Sequence, residues 1–242
     1  VINAGGSYLL AEALHAEIKT LTDQPVRLVI NENGQGHAML GNSYWADQGV
    51  KIVAQIDAAH EFEDRGGQSL SGAENRLQDR AQGSRVVLPD ETFEEVYRVP
   101  FGDMNIQALH LGPSHSPGDI VVWMPEQSLV IAGDIAFHER MLPIFEDTIT
   151  IDWLETWEEE FERLAATYVI PGHGHPTNMA QVRRYTRDYL VYLREKVGDH
   201  LDAGGDLAGA YYVDQSPYAH LDTFEELATR NAGRVFEQME FE

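Results

Sequence analysis

Three side chains in this chain are suited to holding a metal ion: His115 in LGPSHSPGDIVVW (111–123), Asp134 in LVIAGDIAF (129–137) and His173 in AATYVIPGHGH (165–175). Each stretch reads as an apolar β-type run ending in a turn that presents one metal-capable group. Imidazole and carboxylate suit a borderline ion such as zinc, with iron and manganese as alternatives. A strand end followed by Gly or Pro lets such ligands converge without burying unpaired backbone. The chemistry this pattern points to is hydrolysis at a metal centre.

The elements that must position these groups follow from periodicity and turn signals. Residues 1–3 read as a strand end, and the Gly5-Gly6 turn leads to a helix over 7–21 with Leu9, Leu10, Ala13, Leu14 and Ile18 on one face. A buried-type strand is expected over 26–30, a polar glycine-rich loop over 31–36, a helix over 41–48 stopped by Gly49, and a strand over 51–55. Residues 60–83 read as a helix with flexible ends, while 93–99 and 106–111 alternate like strands. Residues 118–124 and 128–132 are expected to pair through the Pro125-Glu126-Gln127 turn. An acidic helix over 153–166 and a strand over 168–170 precede mostly helical sequence, 179–196 and 223–237, broken by Gly204, Gly205 and Gly209. Trp153, Trp157, Phe161 and Leu164 fall at helical spacing and are expected in the core.

Composition bounds the function. With 40 acidic and 17 basic residues, the formal net charge is −23. Such a surface repels phosphate backbones and anionic lipid, which argues against nucleic acid and membrane partners. The acids are spread over the whole chain, so a well-hydrated surface suited to a saline setting explains them better than attraction of a cationic substrate. The absence of cysteine excludes disulfides, thiolate ligands and a cysteine nucleophile. A soluble protein of the periplasm or cytoplasm is expected. The chain begins at Val1 inside a strand-like segment, so a leader or further N-terminal strands are expected ahead of it. No G-x-S-x-G elbow is present, and the glycine-rich loop lacks a P-loop lysine.

Together with INAGGSYLLAEAL, QPVRLVI and HAMLGNSYW, the three metal-type stretches resemble the metallo-β-lactamase-fold superfamily, in particular relatives of glyoxalase II and of quinoprotein-associated zinc metallohydrolases. The resemblance covers roughly residues 1–177. It implies an α/β chain, an αβ/βα four-layer sandwich with the metal site at one edge of two facing sheets. A helical C-terminal extension over 178–242 is expected to pack on that core. By the resemblance His115 would ligate a first metal, His173 a second, and Asp134 would bridge them.

One family motif, H-x-H-x-D-H, is degenerate here. Aligned on Gly41-Asn42, its six positions hold Asn33, Gly34, Gln35, Gly36, His37 and Ala38. A frame shifted by one residue puts His37 at the last histidine position and Glu32, Gly34 and Gly36 at the other ligand positions; the unshifted frame needs no gap before Leu40-Gly41-Asn42. His37 is either a ligand in place of the aspartate or a loop residue left after the site decayed. Asn33 and Gln35 carry neutral amides, poor zinc ligands beside imidazole and better suited to hydrogen bonding.

One carboxylate and at most three imidazoles would under-coordinate two dications, so the expected occupancy is one zinc ion or none. The candidate metal set is His37, His115, Asp134 and His173. The resulting expectation is weak or altered metal-dependent hydrolysis of a small-molecule ester, thioester or amide. A catalytically inactive pseudoenzyme serving as a binding or scaffold module is the alternative. His175 is a candidate to line the cleft and His138 to border a substrate. Tyr185, Tyr189, Tyr192, Tyr211, Tyr212 and Tyr218 are expected to pack on the core, with a cleft cover or a homodimer contact as alternatives.

Overall fold

The computed structural model describes residues 1–242 and divides into two compact units, Val1–Tyr97 and Arg98–Glu242. The first unit carries a parallel three-stranded sheet, β1 (Leu28–Ile30), β2 (Lys51–Gln55) and β3 (Glu91–Phe93), in that spatial order. Its helices are α1 (Tyr8–Leu21), α2 (Gly36–Met39), α3 (Asn42–Asp47) and α4 (Ile56–Leu77). Parallel strands need crossovers, and the helices between them supply these.

Local signals fix the ends of these helices. The Ser7 hydroxyl accepts from Leu10 N and starts α1. The Gln55 side chain accepts from Asp57 N and Ala58 N, so α4 begins at Ile56, ahead of the expected residue 60, and ends at Leu77 before a short tighter turn. A one-turn helix, α2, forms directly after the polar loop. Two apolar clusters fill this unit, one around Trp45, whose indole donates to Ala4 O at 3.1 Å, the other around Phe62.

The expected strand over 93–99 is split. Exposed Glu94 and Glu95 separate β3 from β4 (Val96–Val99), and the two belong to different sheets. The second sheet has the order β4, β5 (Ile106–Leu109), β6 (Val121–Met124), β7 (Leu129–Phe137), β8 (Tyr168–His173). The hairpin expected through Pro125 is present: β6 and β7 are antiparallel with Val122 opposite Ile131. β7 and β8 run parallel, with register shifts after Ile131 and after Gly133. Both strands are longer than expected. β7 continues past Ala132 to Phe137 because burial on both faces, from Ala132 to Phe137, favours continued pairing.

Helix α5 (Thr150–Thr156) continues as a wider turn over Trp157–Phe161 and ends at a tight turn, with Trp153, Trp157 and Phe161 fully buried as expected. The expected helix over 179–196 is two helices, α6 (Met179–Tyr185) and α7 (Arg187–Asp202). They part at Thr186, whose hydroxyl accepts from Phe137 N at 2.8 Å and reaches Phe137 O at 3.2 Å, tying the break to the end of β7. The short α8 (Leu207–Ala210) and then α9 (Phe224–Met239) follow. Tyr189, Leu193, Val235 and Phe236 of these helices share one apolar cluster with Phe137, Met141, Leu142 and Trp153. Tyr189 is wholly buried, so it packs on the core, whereas Tyr212 is exposed. No helix is long and apolar enough to cross a membrane.

Candidate metal centre

Within the second unit, residues far apart in sequence converge on one carboxylate. Asp134 Oδ2 lies 3.8 Å from His115 Nδ1, and Asp134 Oδ1 lies 3.5 Å from His173 Nε2. Each imidazole thus approaches a different oxygen of the same carboxylate. Asp134 and His115 are buried, and the His173 side chain is 34% exposed, which leaves the assembly open on the His173 side.

The backbone is shaped around this carboxylate. Asp134 lies inside β7, not in a turn beyond it, at the irregular stretch after Gly133. His173 is the last residue of β8 and so is also set by sheet pairing. A Cβ at Gly172 would stand 2.4 Å from Asp134 Oδ1 and 2.7 Å from Gly133 O, so only glycine lets β8 approach the acid. Gly174, at φ +93°, passes so close to His138 O that a Cβ would fall 2.0 Å from it.

The turn bearing His115 is held from several sides. Asp119, itself buried, accepts from Ser116 N at 2.6 Å and from Ser116 Oγ at 3.1 Å. Thr156 donates to Pro113 O at 2.7 Å. The His115 ring meets Phe145 edge-on at 5.0 Å and Trp153 at 5.7 Å, between ring centroids. Phe137 stacks on His173 at 5.1 Å. Aromatic packing on both imidazoles limits their rotation. Sequence reasoning missed Asp119, Phe137 and Phe145; the Ser116-Pro117-Gly118-Asp119 spacing, with serine and acid three apart, was the available signal for Asp119.

The neighbouring histidines play other parts. His138 Nδ1 bonds His175 O at 3.0 Å, which spends that nitrogen on backbone. His175 is a mostly exposed residue whose Nδ1 bonds Glu139 Oε2 at 2.6 Å. That hydrogen bond raises the imidazole's pKa above its ordinary value and lowers the carboxyl's.

The degenerate motif lies in the first unit. His37 sits on α2 with 40% of its side chain exposed, and its Nε2 is 3.0 Å from Glu32 Oε1, a buried carboxylate. Sequence reasoning placed Glu32 at a ligand position only in the shifted frame and did not anticipate this pair. Asn33 is buried and its Oδ1 accepts from Gln35 N at 3.1 Å, the hydrogen-bonding role expected of it. Asn31, also buried, donates to Ala38 O at 2.9 Å and exchanges hydrogen bonds with Asn42. The four expected ligands thus fall into two groups, three meeting in the second unit and His37 in the first.

A family model described as the metallo-beta-lactamase superfamily matches residues 42–173, more than half of the chain. The metallo-beta-lactamase type 2 of Bacteroides fragilis is 27% identical over 99 residues, 40% of each chain, and that of Bacillus cereus is 26% identical over 84 residues, 34% of this chain and 33% of its own. These matches span well under half the length of either relative. Among solved structures, a metallo-beta-lactamase from Pontibacter korlensis superposes with a TM-score of 0.60 at 21% identity, covering 75% of this chain and 78% of that one. The metallo-beta-lactamase FIM-1 from Pseudomonas aeruginosa, in a mono-zinc form, gives 0.62 at 16% identity, covering 77% and 76%. These two likenesses establish the α/β fold. On the extent of the family match, the chain belongs to the metallo-beta-lactamase superfamily.

Proposed function

We propose that this protein is a metal-dependent hydrolase of small molecules whose centre takes one zinc ion on His115, Asp134 and His173, with His37 as a fourth ligand. The observation that carries the reading is the approach of two imidazoles to the two oxygens of one buried carboxylate. A single carboxylate balances one dication far better than two. One solved relative, FIM-1, is described in a mono-zinc form, so single occupancy is compatible with the fold. Iron or manganese would suit the same donors less selectively.

When bound, such an ion lowers the pKa of a coordinated water and polarises a carbonyl. The chain supplies the rest. Asp134 contributes the negative charge, His115 a ring locked by aromatic packing, and His173 the ligand on the solvent side, where a substrate can enter. The Glu32 carboxylate on His37 Nε2 supports the fourth assignment, because metal-binding histidines commonly present their second nitrogen to a carboxylate. His37 would then ligate through Nδ1. An ester, thioester or amide is the substrate class the chemistry fits; the fold alone does not choose among them. A homodimer through Tyr211 and Tyr212 is a further proposal, checked by sedimentation.

One observation favours the rival reading, a binding or scaffold module without catalysis. Asn31 donates to Ala38 O and Asn33 accepts from Gln35 N, backbone bonds of the kind a structural loop makes. Metal analysis of protein purified without chelator separates the two. Near-stoichiometric zinc, lost in His115→Ala, with hydrolysis that chelator abolishes supports the enzyme. Metal-free protein whose thermal stability is indifferent to chelator supports the module.

A further inference from the structure

The segment after β7 returns across the His115 turn, and its contacts run on to the last helix. Thr148 is fully buried; its hydroxyl donates to His115 O at 2.7 Å and accepts from Phe145 N at 3.0 Å. Phe145 in turn packs edge-on to the His115 ring. The Thr148 carbonyl accepts from Gln238 Nε2 at 2.7 Å, near the C-terminal end of α9. The other end of the same amide, Oε1, accepts from Thr150 N at 3.0 Å and Thr150 Oγ1 at 2.7 Å. Arg194 of α7 donates to Thr150 Oγ1 at 2.9 Å. Both ends of the Gln238 amide are therefore committed, and its orientation is set: the nitrogen must face the carbonyl and the oxygen must face the amide N–H.

We propose that Thr148 and Gln238 are positioning residues of the metal centre. Helix α9, 90 residues beyond Thr148 in sequence, clamps the 148–150 segment, and Thr148 passes that constraint to the His115 backbone. The inference rests on the zinc reading above. It extends that reading by making the C-terminal helices part of the site's support instead of an appendage. A ligand histidine on a turn has no sheet pairing to fix it, unlike Asp134 in β7 and His173 in β8. Its ring direction therefore depends on what grips the turn. The hydroxyl of Thr148 grips the carbonyl, and Phe145, tied to the same hydroxyl, grips the ring. A shift of the turn by a few tenths of an ångström alters metal affinity because coordination distances tolerate about ±0.2 Å.

The test uses the full chain, loaded with zinc for affinity by chelator competition and with cobalt(II) for its visible spectrum. Thr148→Val keeps the shape and removes the hydroxyl; about a 10-fold to 100-fold rise in the zinc dissociation constant is expected, with a changed cobalt spectrum. Thr148→Ser, which keeps the hydroxyl, restores both. Gln238→Leu gives a smaller loss in the same direction. If Thr148→Val does not fold, Gln238→Leu decides by the same criteria. Wild-type affinity and spectrum in the folded variants, even with a lowered melting temperature, overturn the positioning role and leave the zinc reading intact. Wild-type protein that takes up neither ion overturns the zinc reading itself, and this inference with it.

Discussion

The loop over 31–37 in the first unit and the stretches of the second that carry His115, Asp134 and His173 treat polar side chains in different ways. In the first, the amides of Asn31, Asn33 and Asn42 pair with backbone and with each other. Only the Glu32–His37 pair is of a kind that a metal could use. In the second, Asp119, Thr148 and Thr156 bond the backbone on either side of and at His115, while the His115 and His173 rings approach Asp134. The difference teaches that candidate ligands set by sheet pairing can occur in one chain with a loop whose amides bond its own backbone. Buried polar groups must be hydrogen-bonded somewhere.

The sharpest way to break this contrast is to substitute one candidate ligand in each unit. Asp134→Asn should abolish zinc retention after desalting, since it removes the carboxylate charge, whereas His37→Ala should weaken binding and leave it stoichiometric at saturating zinc. Equal losses in the two variants, read by metal analysis, would show that His37 counts for as much as Asp134.

The next effect is on the backbone of the second unit. Gly172→Ala forces a methyl against Asp134 Oδ1 and Gly133, and overpacking of this kind costs about 1–3 kcal/mol. Gly174→Ala meets His138 O and adds left-handed strain of similar size. Both should lower the melting temperature, and Gly172→Ala should weaken zinc binding the more. A melting scan with and without zinc tells the two apart.

A third variant probes how firmly the C-terminal helices hold the stretch after β7. Buried Asn231 accepts from Ile144 N at 2.9 Å and donates to Leu142 O at 2.7 Å and to the Tyr189 hydroxyl at 3.0 Å. Asn231→Leu strands those partners, for a cost of about 3 kcal/mol. The melting temperature of a chain this size should fall by about 6–12 °C. Calorimetry showing a fall of less than about 2 °C would mean that α9 is loosely docked.

The smallest expected effect lies in the first unit and depends on pH. His15 is buried against Trp45 and bonds the Tyr44 hydroxyl at 2.8 Å. Burial, with a lesser push from Lys19, lowers its pKa below the ordinary 6.5. The unfolded chain therefore binds this proton more readily than the native one. The stability that neutral His15 supports is present above pH 6.5 and declines as the pH falls below it toward the native pKa. The stability gap between wild type and His15→Gln should narrow between pH 7.5 and 5.5, read from urea midpoints at each pH.

Much of this was legible in the residues. The Pro125 turn, flanked by two apolar runs, specified the β6–β7 hairpin because a two-strand pairing needs only local signals. Trp153, Trp157 and Phe161 declared a buried helical face by their spacing. His115, Asp134 and His173 stood out through their motifs, and the structure brings them together. Other features were invisible for specific reasons. The strand over 93–99 looked continuous because alternation carries no label for which sheet a residue joins. The break between α6 and α7 depends on a Thr186 hydroxyl meeting the end of β7, a partner nearly fifty residues away by the 49-residue separation of that bond. The Glu32–His37 pair was obscured because a motif frame assigns positions and says nothing of which side chains face each other.

By itself the amino-acid order determined which groups could ligate a metal, that cysteine chemistry is absent, and where most helices and strands begin. These are properties of single residues and of short-range periodicity. Only tertiary structure decided that the two imidazoles meet opposite oxygens of one acid, that glycine at 172 makes room for it, and that α9 reaches back through Gln238 to Thr148. Such contacts join residues tens of positions apart. Their geometry depends on how packed layers set side chains within a few tenths of an ångström, which no local pattern encodes.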